Sequence, residues 1–116
     1  MSLSQLDYLK HINDEVLFIQ KVMDKKTLLD IEDDLLLQKA VIRSIEVIGE
    51  ATKRVNQEIR MKYPDVNWRA MAGTRDKLIH DYFEVDLELV YDIVINHLPV
   101  LSVQLVKIIS CETENE

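Results

Sequence analysis

Groups able to carry acid–base and phosphate chemistry lie together in residues 73–83. Arg75 supplies a permanent cation, His80 titrates near neutral pH, and Tyr82 supplies a phenol. Asp76 precedes His80 by four positions, so a helix would allow a carboxylate–imidazole hydrogen bond between them. An arginine and a histidine without a metal-ligand cluster can move protons around a phosphate while neutralising its charge.

On composition alone, an ordinary arginine and histidine of a helix are the better explanation of this segment. The reaction that the pair could support is metal-free cleavage of RNA, in which the ribose 2′-hydroxyl attacks the adjacent phosphate. His80 would move protons and Arg75 would stabilise the charge that develops on the phosphate. This segment supplies only one histidine per chain, whereas the reaction usually needs both an acid and a base. We therefore predict a site at a two-fold dimer interface. Tyr82 lies roughly 200° from His80 on an ideal helix. The two side chains can therefore share one site only if the helix ends near Asp81.

The elements that must position this segment are helical. The chain has 116 residues, of which 47% are hydrophobic and 30% charged, and it contains only two Gly and two Pro. That composition is typical of a single folded domain built from long helices with few turns. One cysteine, Cys111, excludes an intrachain disulfide, and we find no signal peptide or membrane-spanning run. We therefore expect a cytoplasmic protein.

Hydrophobic spacing predicts the two N-terminal helices. Apolar residues recur every three or four positions over residues 4–23, with Ser2 or Ser4 as the N-cap and Asp7 as the acidic partner of Ser4. The same spacing predicts one long helix from about residue 33 to 62, and Gly49 inside it indicates either close approach of another backbone or a tolerated glycine.

The C-terminal half predicts a short element and a last long helix. Asn67 is a natural N-cap for an element that begins at Trp68, and Asp86 for the last helix. Pro99 predicts a kink or break in that helix near residues 96–98. Residues 1–110 then form an all-α, up-and-down bundle of four to five helices without strands, followed by a disordered acidic tail at 111–116. Its broad apolar faces permit a homodimer.

Charge is distributed unevenly along the chain. The net charge of −7 argues against a general nucleic-acid binder, yet residues 53–77 hold seven basic against three acidic side chains. An RNA backbone would be attracted there, and the candidate contacts are Lys53, Arg54, Arg69 and Lys77. A solvated helical face is the competing explanation for the same charges.

Other chemistries lack their residues. His11, His80 and His97 lie far apart with no metal-ligand spacing, so we expect no metal and no cofactor. His11 is expected to be an ordinary surface or packing histidine, and His97 a core or interface histidine. No Gly-x-Ser-x-Gly turn marks a nucleophilic serine, and no glycine-rich loop cradles a nucleotide phosphate.

The spacing Arg75-x4-His80-x-Tyr82 resembles the R-x4-H signature of the HEPN superfamily. The text around it is similar to one branch in particular, the HepT-like toxins paired with minimal nucleotidyltransferase (MNT) antitoxins. The similar stretches are RSIEVIGEATKR at 43–54, YPDVNWRAMAG at 63–73, the segment 75–83, VDL at 85–87 and HLP at 97–99.

The resemblance implies a homodimeric, HEPN-like, metal-independent endoribonuclease that is the toxin of a type VII-like toxin–antitoxin pair. Arg75 and His80 match the family's catalytic pair, and Asp76 matches a supporting polar position that is more often Asn. Tyr82 matches the tyrosine that the cognate nucleotidyltransferase adenylylates. An attached AMP would inhibit by bulk and by negative charge beside a phosphate site.

Two other interpretations remain open from the sequence. In the first, the chain is a non-catalytic helical subunit that binds nucleotide or substrate for a separately encoded nucleotidyltransferase, and Arg75 holds a phosphate. Alternatively, Arg75 and His80 would belong to a purely structural network, buried away from any cleft.

Overall fold

The computed structural model describes residues 3–81 and 84–115, with the backbone alone at 79–81. Its elements follow in chain order: α1 (Gln5–Val22), α2 (Leu28–Glu32), α3 (Leu35–Lys53), α4 (Gln57–Lys62), α5 (Trp68–Ala72), α6 (Thr74–Leu78), β1 (Ile79–Asp81), β2 (Glu84–Val85), α7 (Leu87–Asp92), a π-helical turn (Ile93–His97) and α8 (Leu98–Glu114).

The core lies between the three long helices, because α1 packs against both α3 and α8. The helical spacing of apolar residues places one face of each helix inside the bundle. The buried residues at these faces are Leu9, Ile12, Val16 and Ile19 of α1, Val41, Ile45 and Ile48 of α3, and Leu101, Leu105 and Ile108 of α8. The predicted all-α, HEPN-like class is confirmed.

The predicted start of the first helix is also confirmed. The Ser4 hydroxyl accepts a hydrogen bond from the Asp7 backbone N–H at 3.1 Å, and the Asp7 carboxylate accepts one from the Ser4 N–H at 3.0 Å. This reciprocal pair satisfies two of the donors that a helix N-terminus leaves free.

The predicted single helix over residues 33–62 is wrong, because the structure breaks it at residues 54–56 into α3 and α4. Asn56 caps α4 with its side chain. Arg60 donates to the Thr52 carbonyl at 2.7 Å and so satisfies a group at the end of α3. Hydrophobic spacing continued across the break because Val55 is buried there as well.

The prediction of no strands is wrong around His80. Helix α6 ends at Leu78, and β1 then pairs antiparallel with β2, Ile79 opposite Val85 and Asp81 opposite Glu84. Between these two pairs β1 advances by two residues and β2 by one. The backbone of His80 is therefore the extra residue of a β-bulge. The histidine therefore follows α6 on extended backbone instead of lying on the helix.

The last helix contains the predicted irregularity in another form. Asp86 caps α7 as expected, and the chain then makes a π-helical turn over Ile93–His97 where a kink or break was predicted. Pro99 lies in the first turn of α8, where its missing N–H costs little.

The expected disordered tail is wrong for residues 111–114, because α8 continues to Glu114. The Glu112 carboxylate accepts hydrogen bonds from Lys62 Nζ at 2.8 Å and from the Tyr63 hydroxyl. This contact fastens the end of α8 to α4 and explains why the helix persists.

Candidate functional site

The candidate site begins with a close approach between α3 and α5. A Cβ atom added to Gly49 would meet the carbonyl oxygens of Met71 at 3.5 Å and Ala72 at 3.7 Å. These are ordinary van der Waals distances, so α5 packs against α3 at Gly49 while a methyl group would also fit, and both explanations that the sequence allowed stay open. Glu46 lies one turn earlier on the same helix face. Helix α6 starts two residues after Ala72 and is held beside that carboxylate.

Helix α6 is fixed at both of its ends. The Thr74 hydroxyl donates to the Ala70 carbonyl at 2.7 Å, which links α6 to α5. Leu78 is only 1% exposed and anchors the other end in the core. The five residues of α6 are too few to be stable alone, so these contacts determine where Arg75 is presented.

Arg75 forms an ion pair with Glu46 across the two helices. Its Nε donates to Glu46 Oε2 at 3.1 Å, and the side chains are 52% and 26% exposed. A pair this open contributes little to stability, on the order of 0–1 kcal/mol. Its structural effect is to orient the guanidinium, which remains at the surface. The exposure of Arg75 speaks against a buried network, while the interpretation of Arg75 and His80 as a structural pair stays a prediction.

The prediction that Asp76 and His80 lie four positions apart on one helix is wrong, because α6 ends at Leu78 before the histidine. Asp76 itself is exposed on α6. For His80 the structure gives the backbone alone, two residues beyond the end of α6, and Tyr82 lies outside the described residues.

The basic segment is less available to a ligand than its composition indicates. Lys53 pairs with Glu50 at 3.4 Å, Lys62 binds Glu112, and Arg60 caps the end of α3. The four candidate RNA contacts are all exposed: Lys53, Arg54, Arg69 and Lys77. Lys77 shares α6 with Arg75, whereas Lys53 and Arg54 lie on or just after the end of α3, roughly 11 Å along the helix axis from Glu46.

A groove of about 450 Å³ runs beside α6, between the α3–α5 pair and the α7–α8 helix. Thr74 and Lys77 of α6 lie on one wall and His97 on the other. His97 is 67% exposed, so the core alternative is wrong and the interface alternative stays a prediction; its Nε2 lies 3.2 Å from Asp92 Oδ2. A hydrogen bond from the Asn96 amide, and to a smaller extent the one with His97, holds the pKa of Asp92 below its usual value.

Two further properties of the described residues concern metal binding and the length of an apolar helix. Within the described part of the chain, no group of three or more His, Cys, Asp or Glu side chains is placed to hold a metal ion. The continuous helix Leu87–Glu114 has 28 residues and an 18-residue window of mean hydropathy 1.6, long and apolar enough to cross a membrane by length and composition alone. From the sequence we expected no run of this length and hydropathy. The core helix of a soluble protein meets the same criteria of length and composition.

The family is shown by comparison with known proteins. The family described as "Ribonuclease HepT-like" matches residues 12–108, so the chain belongs to the HepT-like ribonuclease family. A Methanocaldococcus jannaschii protein called "Putative RNase" is 46% identical over 81% of this chain and 72% of its own. A "Putative RNase" of Caldanaerobacter subterraneus is 37% identical over 90% of this chain and 94% of its own. A "Probable ribonuclease HepT" of Thermococcus cleftensis is 38% identical over 87% of this chain and 92% of its own. No solved structure gives a significant match.

Sequence reasoning missed Glu46. It lies in the stretch 43–54 that resembles the family, three positions before Gly49, and the sequence treated it as an ordinary polar residue of a long helix. A carboxylate one turn from a glycine at which a second helix packs was the available signal. It required knowing which helix packs at Gly49.

Proposed function

We propose that this chain is a metal-independent endoribonuclease and the toxin of a toxin–antitoxin pair. The supporting observation is the presentation of Arg75: a half-exposed guanidinium, oriented by Glu46, in the motif position of a HepT-like ribonuclease. RNA would bind with its scissile phosphate at the terminal nitrogens of Arg75, since the Nε is directed at the carboxylate.

Cleavage follows from the groups of the motif. The ribose 2′-hydroxyl loses its proton and attacks the adjacent phosphorus, and the 5′-oxygen leaves with a proton, which produces a 2′,3′-cyclic phosphate. His80 transfers protons, Arg75 stabilises the added negative charge, and Asp76 supports the pair. A second copy supplies the second histidine, so the active form is a homodimer. Arg69 and Lys77, with Lys53 and Arg54 farther away, contact the RNA backbone.

Control of the toxin acts at Tyr82. An MNT-type nucleotidyltransferase antitoxin transfers AMP from ATP to the phenol oxygen, which loses its proton while pyrophosphate leaves. Tyr82 lies two positions from His80 in sequence, so the added phosphate and nucleoside would repel and occlude RNA there. Both proteins act in the cytoplasm.

A second candidate keeps the same residues without catalysis. The chain would bind nucleotide or substrate for a separately encoded nucleotidyltransferase, with Arg75 as the phosphate contact. The specific observation that favours it is that Glu46 orients a half-exposed guanidinium, an arrangement that can hold a phosphate without any catalytic partner.

One expression experiment distinguishes these functions. We expect the parent chain to arrest growth, and Arg75→Ala and His80→Ala to abolish the arrest while His11→Ala, an exposed histidine on α1, retains it. Co-expressed nucleotidyltransferase should add the mass of one AMP to the parent but not to Tyr82→Phe. A His80→Ala variant that arrests growth as strongly as the parent would refute the proposed ribonuclease mechanism, and a parent without toxicity or adduct supports the binding subunit.

A further inference from the structure

The groove beside α6 has the composition of a site for a small flat ligand. Its volume of about 450 Å³ lies within the range of roughly 300–1,000 Å³ that is usual for ligand pockets. The floor is apolar and includes Ile45 and Ile48 of α3 and Leu101 of α8, and the polar residues at the groove include Asn96 and Gln104. Such a lining suits a ring that packs by its faces and is hydrogen-bonded at its edge.

Hydrogen bonds fix which atoms of these two amides a ligand can meet. The Asn96 amide nitrogen donates to Asp92 Oδ1 at 2.7 Å, and the Gln104 amide nitrogen donates to the Asp65 carbonyl at 3.1 Å. A carboxylate and a carbonyl can only accept, so each amide must turn its nitrogen toward that partner. The amide oxygens then face away from these partners and are the acceptors that Asn96 and Gln104 offer at the groove.

Thr74 adds a third acceptor on the α6 side of the groove. Its hydroxyl proton is used in the hydrogen bond to the Ala70 carbonyl at 2.7 Å, so the oxygen keeps only lone pairs for a ligand. Acceptors from α6, the π-helical turn and α8 therefore line the same groove. They match the exocyclic amino groups of adenine and cytosine, which donate where uracil carries an accepting carbonyl.

The charges at the groove favour a base over a phosphate. Of the described residues that line it, Asp65 is acidic and Lys77 is the one lysine or arginine, so their charges offset each other. A phosphate in the groove would gain little from this balance, and the acceptor oxygens that line it would repel the phosphate oxygens.

The groove lies next to the ion pair that presents the candidate phosphate contact. Thr74 and Ile45 both line the groove, and they are the sequence neighbours of Arg75 and Glu46, whose side chains form that pair. An RNA whose phosphate contacts the Arg75 guanidinium can therefore place an adjacent base in the groove. Recognition of an unstacked base in this way is typical of proteins that bind single-stranded RNA.

We propose that the groove holds a nucleobase next to the scissile phosphate and selects a base with an exocyclic amino group, adenine or cytosine, over uracil. The amide oxygens of Asn96 and Gln104 accept hydrogen bonds from the amino group, and the apolar floor packs against the face of the ring. The inference rests on the proposed ribonuclease function, because it gives the base preference of that site. Asn96 and Gln104 are then specificity residues that contact the substrate away from the reacting atoms.

The first measurement uses short RNAs in which every ribose except one is replaced by 2′-deoxyribose, so that a single position can be cleaved. The bases on either side of that position are varied in pairs that differ at the amino group: cytosine against uracil, and adenine against purine, which lacks only the 6-amino group. On one side of the phosphate we expect kcat/KM to be about 10-fold higher for the amino-bearing base, as one or two hydrogen bonds in a half-open site would give.

Two variants and one control connect this preference with the groove. Gln104→Leu and Asn96→Ala each remove one acceptor and should reduce the preference at least about 3-fold. Gln57→Leu removes an exposed amide from α4, outside the groove, and should retain the preference of the parent. Circular dichroism verifies that each variant is folded.

Binding of 2′-O-methyl RNAs, which cannot be cleaved, is measured by fluorescence anisotropy so that the two proposals can fail separately. Tighter binding of the amino-bearing RNAs that Gln104→Leu weakens, without cleavage of any RNA, supports the groove and refutes the ribonuclease. Paired RNAs that are cleaved and bound equally, a preference for uracil, or a preference that both folded variants keep overturns the groove and leaves the ribonuclease in place. RNA that is neither bound nor cleaved overturns both.

Discussion

Arg75 is the residue on which the site depends, and its geometry comes from its partner. The Nε–Oε2 contact of 3.1 Å with Glu46 links a five-residue helix to the centre of α3. Because a half-exposed ion pair stabilises the fold only slightly, the carboxylate acts mainly on the direction of the guanidinium. Glu46 is therefore a positioning residue for the proposed reaction.

This role predicts a loss of catalysis without a loss of folding. Glu46→Ala should lower kcat on RNA by about 10–100-fold, since small displacements of a positioned group have effects of that size, with a smaller change in KM and little change in Tm. Glu46→Gln, which keeps an acceptor for Nε, should recover part of kcat. The measurements are steady-state cleavage and thermal unfolding.

Glu50 provides the control for Glu46. It lies one turn farther along α3, is exposed and pairs with Lys53, so Glu50→Ala should leave kcat unchanged. If Glu46→Ala cleaved RNA at the parent rate, or if it lost activity only because it unfolded, the positioning role would be wrong.

The residue types of the site were predictable from the sequence, but their geometry was not. Spacing identified Arg75 and His80 as the chemical pair and placed them on one helix. The structure ends that helix at Leu78 and gives His80 the backbone of a bulge, because two short strands form where only helical periodicity had been considered. Glu46 was missed because its role depends on a contact between elements far apart in sequence.

At the scale of elements, the N-caps of helices were easier to predict than the point at which a long helix is interrupted. Ser4, Asn67 and Asp86 all begin helices as expected, since each cap is a local hydrogen bond. The break between α3 and α4 was missed, because it depends on Arg60 and on Gln5 of α1, which donates to the Arg54 carbonyl at 3.1 Å. A distant side chain decides where α3 ends, and hydrophobic periodicity does not report it.

The end of α8 gives a prediction about stability and pH. Lys62 and Tyr63 donate to Glu112 and lower the pKa of its carboxyl below its usual value. Glu112→Gln should therefore lower the free energy of unfolding at pH 7 by about 1–2 kcal/mol. The advantage of the parent is present above the unfolded pKa and should disappear as pH falls below about 4.5, through the folded pKa.

Urea unfolding at several pH values checks this expectation. Glu114→Gln is the matched control, because Glu114 is exposed on the same helix, and it should show no such pH-dependent difference. A difference between parent and Glu112→Gln that grew on acidification would contradict the account, since the stabilising form would then be the neutral carboxyl.

For the whole molecule, a small acidic helical bundle carries Arg75 on one short helix and His80 on the strand that follows it. The net charge of −7 is locally reversed over residues 53–77, although Lys62 and Arg60 serve the fold. The family match over residues 12–108 spans the core helices and both sides of the motif. The bundle therefore presents Arg75 on α6, ahead of the segment that contains His80.

The most direct test is cleavage of a short RNA by the purified chain in the presence of EDTA. We predict products ending in a 2′,3′-cyclic phosphate, a rate lowered by about 10²–10⁴ in His80→Ala and in Arg75→Ala, and no cleavage at a site where the ribose is replaced by 2′-deoxyribose. Cleavage at the deoxy position, or a His80→Ala variant as fast as the parent, would contradict the proposed ribonuclease mechanism.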